Sequence, residues 1–487
     1  MRSCNTIAIW ASLLPALLLA TPATAQSGGD SPFSAYGLGE VVGNTQVPQL
    51  LMGGVSVATT DPAGISTFNP ASYCSLQKAS FEMGFVGHLT QLRTDAATQD
   101  RANTRLLGFT LGIPWNNGRW ALALGLLPVT TVGYNVTTEG ELSNGVDFRH
   151  TYVGTGGLNR AFAGLAHTLW RAKPDSTGHA RGQLTFGANI NGLFGTVEQT
   201  RKALYPASAG YTNLLTYQGL VIRGTSVNLG LHFGGQLVPM STMLRKRRVR
   251  EEQRKAELEA WRKAHPGEEP ADQRPVRMPE APWRYTIGLC GELTSDLDAR
   301  RDLEELSFVL SNGLEAIRDT NRYEQGREGI LYIPPSYGIG LQVSNERWNL
   351  LADVRQRDWS QLRLDVDGYS LPSQLRPSMS VQAGASFRPA RERDREFLKR
   401  VVYRLGVRYT TDYLKVGDLQ LDETAISGGF SLPISEGAYL ARLNLGVVCG
   451  QRGNEAAGVQ ERFANIQFGF TLTPNKRERW FAPYRIE

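Results

Sequence analysis

Side chains that commonly carry out catalysis are scarce and scattered in this sequence. Beyond Cys4, near the start, Cys74, Cys290 and Cys449 lie too far apart to form a CxxC metal site or a disulfide framework. The six histidines form no HExxH motif and no pair at i,i+4 spacing. No G-x-S-x-G nucleophile turn and no phosphate-binding G-x-x-x-x-G-K-[ST] loop is present. The sequence therefore predicts no enzyme activity, no metal and no other cofactor.

Composition excludes two classes of protein and favours a third. The mean hydropathy of −0.28 excludes a bundle of apolar transmembrane helices. The 9 Trp, 17 Tyr and 18 Phe residues are too many for a disordered chain. Glycine contributes 52 of the 487 residues, which is well above the usual share. A chain rich in glycine and aromatic residues, but without long apolar runs, is typical of an all-β protein.

The exception is the N-terminus, which has the pattern of a signal peptide. Arg2 precedes an apolar run at 7–20, and an A-x-A cleavage signal follows at 23–25. The run is too short to span a bilayer as an anchor helix. We expect cleavage before Gln26, and therefore export.

From residue 79 to residue 473, large apolar residues alternate with small or polar ones. In the last such segment the apolar positions are Ile466, Phe468 and Phe470, with Gln467 among the polar positions between them. A period of two indicates strands with one apolar and one polar face. The segments are about twice the length of soluble strands, which is enough to cross a bilayer at a tilt. The pattern predicts an all-β fold, an antiparallel transmembrane β-barrel, and it places Arg404, Arg408 and Gln467 on the face that lines the lumen, where they are candidates for ligand contact.

Fourteen such segments are found, an even number, as bacterial single-chain barrels have. Connections on one side are very short, and those on the other are mostly long, as expected for periplasmic turns and external loops. The short ones are 114–118, 345–346 and 435–437, and the long ones are 135–148, 198–213, 296–329 and 360–376. Tryptophans at the strand ends predict an interfacial girdle. They are Trp115, Trp120, Trp170, Trp283 and Trp348 on the short-turn side and Trp359 on the other side.

One connection on the short-turn side is long and charged, the insert 241–282. Residues 245–263 contain nine Lys or Arg and four Asp or Glu, which predicts a solvated periplasmic helix. The cations at its start are candidates for contact with a periplasmic partner protein or with anionic lipid headgroups of the outer membrane. These candidates are Arg245, Lys246, Arg247 and Arg248. Residues 245–263 carry a net charge of +5, against +6 for the whole chain, so the basic pI does not indicate a nucleic-acid partner.

Residues 26–78 do not alternate and are rich in Gly, Pro and Ala, which predicts a compact plug inside the barrel. A fourteen-stranded ring has a lumen too wide for its own side chains to fill. Asn69-Pro70-Ala71 is the plug motif of interest, because an asparagine before proline can fix a turn through its side-chain amide. The predicted organisation is a signal peptide at 1–25, the plug at 26–78, the barrel at 79–473 and a periplasmic tail at 474–487.

The plug motif carries a family resemblance. Together with Met52-Gly53-Gly54 and Asp61-Pro62-Ala63, it makes the chain similar to the FadL/toluene-transporter family of outer-membrane proteins. The segments SPFSAYGLG at 31–39 and ERWFAPYRIE at 478–487 resemble the Bacteroidetes-type subgroup.

The resemblance implies passive uptake of hydrophobic small molecules, such as long-chain fatty acids or hydrocarbons, through a plugged barrel. The alternative is a non-transporting accessory or docking subunit of a secretion or surface-assembly system, like the PorV-like components of type IX secretion. The lumen discriminates between the two. A continuous apolar pocket favours transport, and a polar, fully plugged lumen favours the accessory role.

Overall fold

The computed structural model describes residues 31–474 apart from short gaps. These gaps are 44, 95–97, 174–180, 207–209, 239, 266–281, 312–313, 370–373, 390–395, 417–418, 435–440 and 455–458. The predicted signal peptide, the start of the predicted plug, the end of the insert and nearly all of the predicted C-terminal tail lie outside the described residues. The strands are β1 (Glu40–Val41), β2 (Ser80–Thr94), β3 (Thr98–Trp115), β4 (Trp120–Pro128), β5 (Thr130–Glu141), β6 (Asp147–Arg171), β7 (Gly182–Leu204), β8 (Asn213–Gln236), β9 (Arg284–Glu292), β10 (Ser295–Ser311), β11 (Leu314–Ile333), β12 (Ser336–Ser344), β13 (Trp348–Asp358), β14 (Arg363–Val366), β15 (Gln374–Leu375), β16 (Pro377–Phe387), β17 (Val402–Thr410), β18 (Leu414–Val416), β19 (Leu419–Gln420), β20 (Glu423–Pro433), β21 (Arg442–Asn454) and β22 (Val459–Leu472).

Nineteen of these strands form one antiparallel sheet that closes on itself. The closure is the pairing of β22 with β2, which runs from Phe81 opposite Leu472 to Thr94 opposite Val459. β1 and β14 are short additions to the ring, and three spans are each divided in two, as β4–β5, β9–β10 and β11–β12. The ring is therefore a closed barrel of fourteen spans, as the alternation predicts.

The two faces of the wall differ as the period of two requires. On β22, Ile466 is 53% exposed on the outside, whereas its neighbour Gln467 is 3% exposed on the inside. β17 repeats the pattern, with Leu405 exposed and Arg404 buried. An outer face of exposed apolar side chains around a closed ring is the surface that a lipid bilayer covers.

At the long-loop end, several strands continue well beyond the height of a bilayer. β6, β7 and β8 have 25, 23 and 24 residues. The predicted loop at 296–329 is wrong, because β10 and β11 form a paired hairpin there with three register shifts. In this segment a run of charged residues interrupts the apolar alternation. The run can form strands because much of the hairpin faces water. Residues 314–324 are exposed apart from a single half-buried position.

At the short-turn end, tryptophans lie at the strand ends, as the predicted girdle requires. Trp115, Trp170 and Trp348 are 44%, 50% and 43% exposed at strand ends. Trp359 does not belong to the girdle, because it is 5% exposed and lies with its ring centroid 5.2 Å from that of Tyr413 inside the opposite mouth. The chain turns inward after β13 into a short 3₁₀ helix, Trp359–Gln361, so the ring faces the interior and not lipid.

The charged insert begins with a helix of 25 residues, Met240–Ala264, between β8 and β9. Its first cations are largely exposed, and Arg247 forms an ion pair with Glu251 at 2.5 Å. None of the described helices is long and apolar enough to cross a membrane.

The end of the barrel that faces the cell exterior can be tested with epitope insertions. An epitope after Asn144, in the exposed turn between β5 and β6, should bind antibody on intact cells, because long loops face outward. An epitope after Asn117, in the turn between β3 and β4, should bind only after the cells are permeabilised. Labelling of the Asn117 insertion on intact cells would reverse the orientation.

The lipid-facing wall can be tested at two adjacent residues. Ile466→Arg places a charge on the lipid face and should lower the free energy of unfolding by roughly 2–4 kcal/mol near the midplane. Gln467→Ala, on the inner face, should change it little. Denaturant titration of the barrel in vesicles measures both, and equal losses would show that the two faces have been misassigned.

Candidate functional site

The lumen contains the N-terminal residues 31–78, which we call the inner segment. It comprises a 3₁₀ helix (Pro32–Ala35), β1, a helical turn (Val47–Leu50) and a second 3₁₀ helix (Pro70–Ser75). Most of its residues are buried. Glycines of the wall allow the backbone of the inner segment to come close. A Cβ on Gly406 would lie 2.1 Å from the backbone nitrogen of Gly53, so a larger residue there would displace the segment.

Asn69 fastens the inner segment to itself and to the wall. Its side-chain oxygen accepts a hydrogen bond from the Ala71 amide at 3.1 Å, which caps the second 3₁₀ helix. Its amide nitrogen donates to the carbonyl oxygens of Val57 at 2.7 Å and of Leu289, on β9, at 3.2 Å. The bare Gly230 makes room for this contact, since a Cβ there would lie 2.0 Å from the Asn69 side-chain oxygen. Pro70 and Ala71 are buried beside it.

Asp61 of the inner segment lies between two arginines of the wall. Its Oδ2 is 3.2 Å from Arg442 on β21 and 3.9 Å from Arg404 on β17. Arg404 also donates to Ser431 at 3.1 Å and contacts the Met52 sulfur at 3.4 Å. Both arginines are at least nine-tenths buried, so removal of the Asp61 carboxylate would leave buried charges without their counterion.

Two side chains of the wall satisfy backbone groups of the inner segment. The carboxylate of Asp353, on β13, accepts hydrogen bonds from the amides of Ser56 and Val57, the latter at 2.7 Å. Gln342, on β12, accepts from the amide and the hydroxyl of Thr60 at 2.7 and 2.8 Å. The amides of Ser56, Val57 and Thr60 are therefore paired, as the backbone of a buried loop requires.

Packed apolar side chains lie toward both ends of the barrel lumen. At the long-loop end, Phe33 and Leu38 of the inner segment belong to a buried cluster with residues of the loops, among them Trp359, Tyr413 and Leu421. At the other end, the inner segment packs against β4 and β6 in a second cluster. This second cluster comprises Ile65, Tyr73, Leu76, Ala121, Ala123, Leu127, Phe162 and Ala166.

Between these clusters remains a cavity of about 310 Å³, at the lower end of the size range of ligand pockets. Charged residues form much of its lining, and most of them are paired with one another. The pairs include Arg408 with Glu423, Arg452 with Asp412, Arg357 with Glu292, and Glu40 with Arg105. The lining therefore combines mutually neutralised charges with apolar side chains, among them Phe68, Leu107 and Phe463.

The wall is incomplete beside this cavity. β3 pairs with β4 only from Phe109 to Trp115, and among the described pairings its residues 98–107 have no partner on the β5 side. The third span is broken after Pro128, between β4 and β5. The inner segment covers the opening, because Glu40 and Val41 pair with Thr131 and Thr130 of β5. Arg105 reaches across, 2.8 Å from the Thr131 hydroxyl and 4.0 Å from Glu40.

The described residues contain no group of three or more His, Cys, Asp or Glu side chains arranged to hold a metal ion. The cysteines Cys74, Cys290 and Cys449 are unpaired thiols.

The family model described as BamG matches residues 9–260 and 283–487, which is nearly the whole chain. The chain belongs to the BamG family. A comparison of the BamG-family chain with curated proteins found no match.

Solved structures resemble this BamG-family chain in fold at low sequence identity. The Ralstonia pickettii toluene transporter TbuX is 13% identical with a TM-score of 0.51, over 88% of this chain and 98% of that one. The CymD monoaromatic hydrocarbon channel is 15% identical with a TM-score of 0.49, over 91% and 100%. A Pseudomonas aeruginosa FadL homologue is 11% identical with a TM-score of 0.45, over 88% and 96%. TbuX is named as a toluene transporter and CymD as a hydrocarbon channel, and the BamG-family chain has the fold of such an outer-membrane barrel.

Sequence patterns find part of this site. Arg404, Arg408 and Gln467 all point inward, but Arg404 binds the inner segment whereas Arg408 and Gln467 line the cavity. Alternation does not single out Asp353 and Gln342, because many inward polar residues look alike in sequence. The sequence feature that could have identified them is the spacing of glycines on the same inner faces, because glycines mark where a second backbone comes close.

The anchoring role of Asn69 can be tested in the full chain. Asn69→Ala removes two donated hydrogen bonds and a helix cap and should destabilise the inner segment by about 2 kcal/mol. Hydrogen exchange should then accelerate at residues 55–76 while the barrel strands stay protected. Gln77→Ala, an exposed polar residue of the same segment, is the control. Unchanged protection in Asn69→Ala would show that the segment is held elsewhere.

Proposed function

We propose that this BamG-family barrel is a non-transporting accessory or docking subunit of an outer-membrane secretion or surface-assembly system. The observation that supports this most is that the inner segment occupies the lumen and that most charges of the remaining cavity are paired. The inner segment is bound through buried hydrogen bonds and ion pairs to β9, β12, β13, β17 and β21, and both mouths are packed.

Displacing such a segment is costly. Separating Asp61 from Arg404 and Arg442 strands buried charges, at a cost of roughly 3–5 kcal/mol, and each further buried hydrogen bond adds about 1 kcal/mol. A hydrophobic solute inside would have to contact paired charges as well as the apolar side chains that share the lining. The surfaces free to act lie outside the lumen, on the tall strands at one end and the charged helix at the other.

Transport of hydrophobic small molecules, such as long-chain fatty acids or hydrocarbons, is the second candidate. The opening between β3 and β5 favours it, because the cavity reaches that opening at Glu40, Val41 and Arg105. Transport through this route requires the strand Glu40–Val41 to leave β5. The ligand would be the partner in that case, and the lumen-facing Arg408 and Gln467 would lie along its path.

We also propose a Bacteroidetes-type origin, cleavage of the signal peptide before Gln26 and a role of residues 26–78 as a plug. The insert 241–282 and the tail 474–487 are proposed to lie in the periplasm. A periplasmic protein at the cations of the insert would suit the accessory role, since five of the six residues at 245–250 are basic.

A disulfide that locks the inner segment distinguishes the two functions. A Cβ on Gly469 of β22 would lie 3.0 Å from the Val47 Cβ, close to disulfide range, so Val47→Cys with Gly469→Cys should cross-link under oxidation. Burial raises the pKa of the native Cys74 thiol to about 11, which keeps it from competing.

In a strain that lacks the native protein, the locked variant should fully restore surface display of other outer-membrane proteins, and it should not change uptake of a hydrophobic probe. The two single-cysteine variants are the controls. The opposite outcome is a strain without the native protein that displays its surface proteins normally but has lost uptake of the probe. If only the reduced variant then restores uptake, the chain is a transporter and the proposed accessory role is wrong.

A further inference from the structure

One sector of the short-turn end combines exposed tryptophans with exposed cations. It covers the neighbouring spans from β3 to β9, which are consecutive around the ring. We call it the Trp–cation sector and define it by Trp115, Arg119, Trp120, Trp170, Lys173, Arg181 and Trp283. Trp115 and Trp120 stack with ring centroids 6.2 Å apart.

The charge of this sector is mainly positive. Arg119, Lys173 and Arg181 are exposed, and no ion pair joins them to a carboxylate of the described residues. The strand ends at 115–120, 168–173, 181–184, 234–238 and 282–285 contain neither Asp nor Glu, and the sequence between Lys173 and Arg181 contains one acid, Asp175. Arg171 adds a further cation, which donates to the carbonyl oxygens of Asn117 and Gly118 and meets no acid there.

The charged helix starts in the same sector, between β8 and β9. Arg245, Lys246 and Arg248 are exposed and lie five to eight residues after its first residue, Met240. At about 1.5 Å of rise per residue they stay within roughly 12 Å of the helix start. The acidic residues of the helix begin only at Glu251.

The opposite sector of the same rim is different. Lys399 there pairs with Glu396 at 2.7 Å, and Arg388 donates to the carbonyl oxygen of Glu346. The opposite sector thus has cations that are partly paired, whereas no ion pair among the described residues contains Arg119, Lys173 or Arg181.

We propose that the Trp–cation sector binds an anionic phospholipid of the leaflet that faces the short-turn end. Exposed tryptophans at strand ends mark the headgroup level, which puts Arg119, Lys173 and Arg181 at the depth of lipid phosphates. The patch also continues into the apolar wall through Leu169 and Leu237, which are 56% and 53% exposed. A phospholipid fills both parts, with its acyl chains on the wall and its phosphate on the cations. An acidic soluble protein would satisfy the cations alone.

Native mass spectrometry of the full chain, titrated with dioleoyl phosphatidylglycerol or dioleoyl phosphatidylcholine, tests this binding. The unaltered chain should retain the anionic lipid about fivefold better, since each cation near the headgroups adds attraction. The triple variant Arg119→Gln, Lys173→Gln and Arg181→Gln should reduce that preference to less than about twofold. Matched substitutions at the long-loop end, Arg149→Gln, Arg201→Gln and Arg318→Gln, should leave it unchanged.

Heat-modified mobility on gels checks that every variant is folded. Arg245→Gln with Lys246→Gln and Arg248→Gln should lower the preference as well, and if it does not, the helix has no part in the site. Equal retention of both lipids by the unaltered chain would overturn the proposal, and so would an undiminished preference in the triple variant of Arg119, Lys173 and Arg181. If that triple variant keeps its lipid preference but loses a bound periplasmic protein, the sector binds a protein partner instead.

Discussion

The width of a fourteen-span ring is the constraint on which the rest of this structure depends. Inward side chains alone cannot fill such a lumen, so a second piece of backbone has to occupy it, and each buried polar group of that backbone needs a partner. The wall supplies these partners from fixed positions. Asp353 and Gln342 accept from amides of the inner segment, Arg404 and Arg442 hold Asp61, and Leu289 offers its carbonyl oxygen to Asn69. Glycines such as Gly406 provide the necessary space.

This way of filling the lumen shapes what the barrel can do. The inner segment reaches from a packed cluster at one mouth to another at the opposite mouth, and it also covers the opening beside β5. The cavity that remains is lined by charges that already neutralise one another. The fold resembles that of the TbuX toluene transporter, but in this chain the inner segment occupies the lumen. The proposed accessory function would therefore use surfaces at the two ends of the barrel.

Much of the fold could be predicted from the sequence because one rule governs the whole wall. Alternation with a period of two separates Ile466 from Gln467 and Leu405 from Arg404 without any knowledge of neighbours. The rule fails where both faces of a strand meet water, as in the hairpin of β10 and β11, where charges replace the apolar positions. It also fails for Trp359, whose chain turns inward after β13. The contacts of the site were beyond prediction, since Ser56 and Asp353 are 297 positions apart.

The central claim, that the inner segment permanently blocks the lumen, is tested most directly by recording ionic current through the full chain in a planar lipid bilayer. A segment held by buried ion pairs and hydrogen bonds predicts no conducting events from the unaltered protein at any moderate voltage. A variant without residues 31–68 that still inserts should conduct, which shows that the assay detects an emptied ring. Discrete, reversible openings of the unaltered protein would contradict the claim and would return the barrel to the class of channels.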